Sequence, residues 1–137
     1  MGIKQNCNNK TTARVDYLLA ALVVCLYFLY NYWLKNNLPQ TLRPFFLYYF
    51  NDLMCPIVFM AYVNRLLAFI GKSAYKLYVI LIICFVCGCF WEYAAPLFRR
   101  GSVSDIYDLC CYCAGGAIYW AVHKTVRFFS NKRQNKV

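Results

Sequence analysis

Acidic residues and histidine are scarce in this chain. Of its 137 residues only five are Asp or Glu, against fifteen Lys or Arg, and there is a single histidine, His123. With one histidine, lying on the inner side and far from the acids, no Ser-His-acid or Cys-His arrangement is visible for nucleophilic catalysis. The formal charge of +10 would suit nucleic acid, but the basic residues sit in short stretches between apolar runs rather than on a hydrophilic face. That distribution excludes a nucleic-acid partner and favours the lipid bilayer, with anionic headgroups at the basic segments.

What the chain has instead is apolar length. It is 62% hydrophobic and 20% aromatic, more than a soluble domain of this size can bury. The pattern predicts one all-α domain over 1–137, an integral membrane bundle of four transmembrane helices at about 15–34, 46–63, 77–97 and 106–122. Asn64 and Arg65 are expected to stop the second span. Spans two and four are short, which implies tilt, local thinning or snorkelling flanks.

Lys and Arg set the orientation. Lys4, Lys10, Arg14, Arg65, Lys72, Lys76, Lys124, Arg127, Lys132, Arg133 and Lys136 fall on one side of a four-span arrangement, and Lys35, Arg43, Arg99 and Arg100 on the other. The positive-inside rule then places both termini, with basic tails 1–14 and 123–137, in the cytoplasm. A three-span arrangement would leave a five-charge tail outside.

Several short signals lead nowhere. The first span is too long for a signal-peptide core and lacks a small-x-small cleavage site, so it reads as a retained signal-anchor. Leu22-Val23-Val24-Cys25 has Val24 where a lipoprotein box needs a small residue, and Gly2 lacks the Ser or Thr at position 6 that myristoylation expects. Asn9-Lys10-Thr11 is a sequon on the cytoplasmic side. Nine cysteines invite a metal or redox reading, but Cys84-x-x-Cys87 is embedded in Leu, Ile, Phe and Val with no turn to aim thiolates at one point. The cysteines read as small hydrophobes that let helices approach, and no metal or cofactor is expected.

Four carboxylates carry most of the functional argument. Asp52, Glu92, Asp105 and Asp108 lie at or just inside span ends that the topology brings to the outer leaflet, with Arg99 and Arg100 in the loop between the last two spans. An ionisable group within a span costs about 2.5–3.5 kcal/mol on insertion scales and is functional by default. On the fourth span Asp105, Asp108, Tyr112, Gly115 and Tyr119 share a helical face, and on the third Phe85, Gly88 and Glu92 do so. Gly88 against Gly115 and Gly116 would allow close helix packing and bring Glu92 towards Asp108. Pro56 and Pro96 each follow an acid by four residues. A helix running through either proline frees that acid's carbonyl, whereas Pro56 in a first turn would be harmless. Helix-dipole capping by Asp105 and Asp108, and charge neutralisation by Arg99 and Arg100, give a purely structural alternative. Asp52 fits that alternative least, since only Arg43 lies near it in sequence.

The stretch Trp91–Trp120 resembles the VanZ-like family of small bacterial membrane proteins. The carrying residues are Glu92, the loop Arg99-Arg100, Asp105-Ile106-Tyr107-Asp108 and Gly115. Asn51-Asp52-Leu53, Pro96 and Tyr112 further resemble a short subgroup labelled magnesium citrate secondary transporter. Ala95, Tyr112 and Tyr119 depart from the family's usual Gln, Asn and Gly. The resemblance implies a location in the cell envelope and a motif rather than a reaction.

Two functions follow as expectations. The first is an accessory membrane protein whose outer acidic and arginine site binds a polar headgroup, a cell-wall precursor or a glycopeptide, the arginines holding phosphate or carboxylate and the acids taking amine or hydroxyl groups. The alternative is a secondary transporter of an ion or organic acid, which with four spans needs a homo-oligomer to enclose a path. An enzyme acting on lipid-linked phosphates has only the clustering in its favour.

Overall fold

The computed structural model describes residues 2–34, 37, 39–40, 46, 49–98 and 106–134. Four long helices account for nearly all of them, and no strand occurs among the described residues. Helix α1 spans Gly2–Leu29 and closes with a π-helical turn at Tyr30–Leu34. There the Asn31 side-chain amide donates to the Tyr27 carbonyl at 3.0 Å, supplying a donor where the regular ladder widens. Helices α2, α3 and α4 span Phe50–Phe69, Leu77–Phe98 and Ile106–Gln134. Both basic tails are therefore largely helical, in continuity with α1 and α4 rather than separate from them.

Side-chain contacts fix the directions. Tyr30 at the end of α1 packs on Phe50 at the start of α2, with ring centroids 5.2 Å apart. The position of Gly116 on α4 faces Ile80 and Cys84, and that of Gly88 on α3 faces Leu109 and Tyr112. Thus α1 and α3 run one way and α2 and α4 return. The two returning helices form the central pair, with α1 and α3 on the flanks, and α4 touches every other helix. The bundle therefore has a basic end, holding Arg65 and His123, and an acidic end, holding Asp52, Glu92 and Asp108.

The inner surfaces join Val23, Ile57, Met60, Ala61, Ile80, Cys84 and Tyr119 in one core. Leu18, Leu22, Phe28, Ile82, Val86 and Phe90 point outwards, as lipid-facing side chains do in a membrane bundle and rarely do in a soluble one. Three helices hold a stretch long and apolar enough to cross a bilayer: Thr11–Trp33, Phe50–Phe69 and Leu77–Ala94. Helix α4 falls short of that apolarity. Its small and polar residues Tyr112, Gly115, Gly116, Tyr119 and His123 are buried against its neighbours, so its composition reflects a central position.

Helix α2 does not stop at Asn64 and Arg65 as its sequence suggests. It continues to Phe69 and ends in a Schellman motif, with Lys72 N–H donating to Leu67 O at 2.9 Å and Gly71 N–H to Ala68 O at 3.1 Å. Gly71 sits at φ +69, where a side chain is unfavourable. The following loop folds back, so that Ala74 N–H donates to Asn64 Oδ1 at 2.8 Å. Asn64 is tolerated inside the helix because the loop satisfies it.

Candidate functional site

At the acidic end, α2, α3 and α4 each contribute a carboxylate. Asp52 and Asp108 lie in the first turns of α2 and α4, and Glu92 lies about two turns before the end of α3. Asp52 is close enough to Asp108 and Glu92 to feel both charges. Among the described residues no cation or hydrogen-bond donor reaches the Asp52 carboxylate. Like charges at one depth repel one another, which an ammonium or hydroxyl donors at Asp52 would relieve, although the three acids are not placed to hold a metal ion together.

Pro56 is inside α2, past the first turn, so the helix runs through it. The Asp52 carbonyl thereby loses its usual partner. The residue just below the acids is Cys55, whose thiol is hydrogen-bonded to the Tyr112 hydroxyl. An apolar groove of about 260 Å³ lies between α1 and α2 and reaches Asn51 and Cys55, which flank Asp52 in sequence. Asp105, Arg99 and Arg100 lie outside the described residues, as does Arg43.

The glycines set the helix spacing, with a different division of partners from the one the sequence suggests. Gly88 and Gly116 face across the α3–α4 contact. Gly115 instead faces α2, where a Cβ would meet the Leu53 carbonyl and the Pro56 ring. The stripe Asp108-Tyr112-Gly115-Tyr119 therefore packs on α2 as well as on α3.

The basic end holds a second polar cluster that the sequence does not advertise. Asp16 on α1 is only 1% exposed. Its carboxylate meets Arg65 Nη2 at 2.8 Å, accepts from the Tyr119 hydroxyl at 2.7 Å, and lies 2.9 Å from His123 Nε2. The last is a close polar contact rather than a hydrogen bond. Asn64 Nδ2 donates to the Tyr119 hydroxyl at 2.7 Å. The expectation that His123 is far from the acids fails at one of them: it stands 2.9 Å from the fifth acid, Asp16, which appears in sequence only as a minor break in the first span. The available signal was the stripe Thr12, Asp16, Leu19, Val23, whose spacing points Asp16 inwards.

Eight cysteines from Cys25 to Cys113 are free. Cys84 is buried beneath Gly116, where its small side chain lets α3 and α4 approach. No group of three His, Cys, Asp or Glu side chains is placed to hold a metal ion among the described residues. The chain matches no protein-family model, no curated protein and no solved structure.

Proposed function

We propose that this chain is a four-crossing bacterial membrane protein with both termini in the cytoplasm, whose outward acidic end binds a polar, amine- or hydroxyl-bearing headgroup, a cell-wall precursor or a glycopeptide. The observation that carries the reading is the meeting of Asp52, Asp108 and Glu92 from three helices, with Asp52 lacking a described partner. Structural pairing alone would give each acid a base or donor. The neighbouring groove supports an amphiphilic ligand, because an apolar tail can lie between α1 and α2 while its head meets Asp52. Burial of the polar face of α4 against the other helices supports a fourth crossing, since the exposed surface of its first part, residues 106–122, is apolar. The VanZ-like resemblance of the stretch holding Glu92, Arg99, Arg100, Asp105 and Asp108 belongs to the same reading, the two arginines and Asp105 lying outside the described residues.

Direct binding tests this. The purified protein is incubated with phosphatidylethanolamine, a glycopeptide, a lipid-linked cell-wall precursor, Mg²⁺ or citrate, and complexes are counted by native mass spectrometry. One amine- or hydroxyl-bearing ligand should bind the wild type and be lost from Asp52→Asn and Asp108→Asn. Equal binding by wild type and both variants would sink the proposal, and selective binding of Mg²⁺ or citrate would favour transport.

A further inference from the structure

The basic end carries more positive charge than the chain can neutralise. Of five acidic side chains, Asp16 is already shared by Arg65 and His123. The others belong to the opposite end of the bundle. Asp52 lies thirteen residues before Arg65 on α2, about 20 Å of helix, and Asp108 nineteen before Arg127 on α4, about 28 Å. Glu92 lies at their depth, and Asp105 precedes Asp108. Arg127 therefore has no side-chain carboxylate within reach.

Its surroundings are built rather than open. Arg127 is one turn beyond His123, and its guanidinium lies on the Tyr75 ring, 3.6 Å from the ring centroid. Tyr75 in turn stands 5.3 Å from the His123 ring. Arg65, Asp16, His123, Tyr75 and Arg127 thus form a continuous run of contacts. Within it Arg65 Nε, Arg127 Nε, both ring nitrogens of His123 and Asp16 Oδ2 are buried and have no hydrogen-bond partner among the described residues. His123 itself is only 2% exposed. A guanidinium stacked on a ring keeps its N–H edge available in its own plane, the geometry that receives phosphate. The Nε–H groups of Arg65 and Arg127 are buried donors without acceptors, an unfavourable state, and the two guanidinium groups outnumber the single carboxylate, Asp16, among them. Exposed Lys72, Lys76 and Lys124 surround the cluster and would draw an anion towards it.

We propose that Arg127, Arg65 and His123, with Tyr75 as a platform, form a binding site for a phosphate group at the basic end of the bundle, separate from the acidic site. A tetrahedral oxyanion offers acceptors in several directions, which suits donors arriving from α2 and α4. The phosphate belongs either to an anionic phospholipid headgroup or to a soluble phosphate, and the two are separable by experiment.

The full chain is purified and delipidated in an uncharged detergent. Unfolding temperature is followed while short-chain phosphatidylglycerol, inorganic phosphate, or acetate at matched ionic strength is added, and native mass spectrometry counts bound molecules. Wild type, Arg127→Gln and Lys132→Gln are compared, Lys132 being an exposed cation on the same helix. The expected result is one saturable phosphatidylglycerol or phosphate per chain, weakened about tenfold or more in Arg127→Gln and unchanged in Lys132→Gln. Stabilisation by inorganic phosphate identifies the phosphate group as sufficient, and stabilisation by phosphatidylglycerol alone identifies a lipid headgroup. No saturable binding, an equal effect of acetate, or equal weakening in both variants overturns the proposal. If Arg127→Gln does not fold, the wild type decides: a single saturable phosphate-bearing adduct with no acetate effect supports the site, and non-saturating adducts overturn it.

Discussion

The Tyr119 hydroxyl donates to the Asp16 carboxylate at 2.7 Å across 103 residues of chain. That bond ties the first helix to the last, and Asn64 extends it into α2 and the loop at Ala74. Each polar group in the sequence Ala74, Asn64, Tyr119, Asp16, Arg65 is held by the next. Water is excluded from Asp16, Asn64 and Tyr119, so removing one member leaves its neighbours without a substitute partner.

Asp16→Asn should therefore be the most damaging single change at the basic end. It leaves Arg65 without a counter-charge, a loss of about 3–5 kcal/mol for a buried pair. Tyr119→Phe removes one hydroxyl and should cost about 1–3 kcal/mol. Unfolding of both variants in detergent measures the order. An Asp16→Asn protein as stable as wild type would show that the cluster does not hold the helices together.

Helix spacing gives a second prediction. At Gly115 a Cβ runs into the Leu53 carbonyl and the Pro56 ring, neither of which can swing aside. Gly115→Ala should destabilise by about 1–3 kcal/mol through overpacking. Gly88→Ala should cost less, because its nearest obstacle is the mobile end of Leu109 at 2.8 Å. Gly71→Ala meets nothing within 4 Å and should cost about 1 kcal/mol through its positive φ alone. Thermal unfolding of the three variants tests the ranking, and Gly115→Ala as the mildest would contradict the α2–α4 contact.

Topology supplies a third. Epitopes fused to the two termini should both be reached by protease only after the inner membrane is opened from the cytoplasmic side. Exposure of the C-terminal epitope alone on the periplasmic face of intact spheroplasts would mean three crossings, with α4 not spanning.

How much of this was legible in the sequence depends on which way each residue points. The apolar runs outlined α1 to α4 because lipid-facing positions are uniformly greasy, and the alternation of basic and acidic ends followed from charge. The Schellman stop at Gly71 lay six residues beyond Arg65, whose charge looked like a boundary. Inside the bundle that charge is met by Asp16, and the pairing depends on the relative rotation of α1 and α2, which no local pattern encodes. Asp16 was hidden for the same reason: near the start of a span, a carboxylate looks the same whether it faces headgroups or Tyr119. Asp52 was visible because Arg43 alone of the basic residues lies near it in sequence.

The contrast between Asp16 and Asp52 is the central claim, one acid serving the fold and the other a ligand. Its most direct test is the unfolding temperature of wild type, Asp16→Asn and Asp52→Asn, each alone and with the amine- or hydroxyl-bearing ligand that binds best. The account predicts that Asp16→Asn lowers the ligand-free value, while Asp52→Asn leaves it unchanged or raised by relief of repulsion and abolishes the ligand-induced rise. A ligand-free loss in Asp52→Asn as large as that in Asp16→Asn, with no ligand raising the wild type, would contradict it and make the acidic end a second structural cluster.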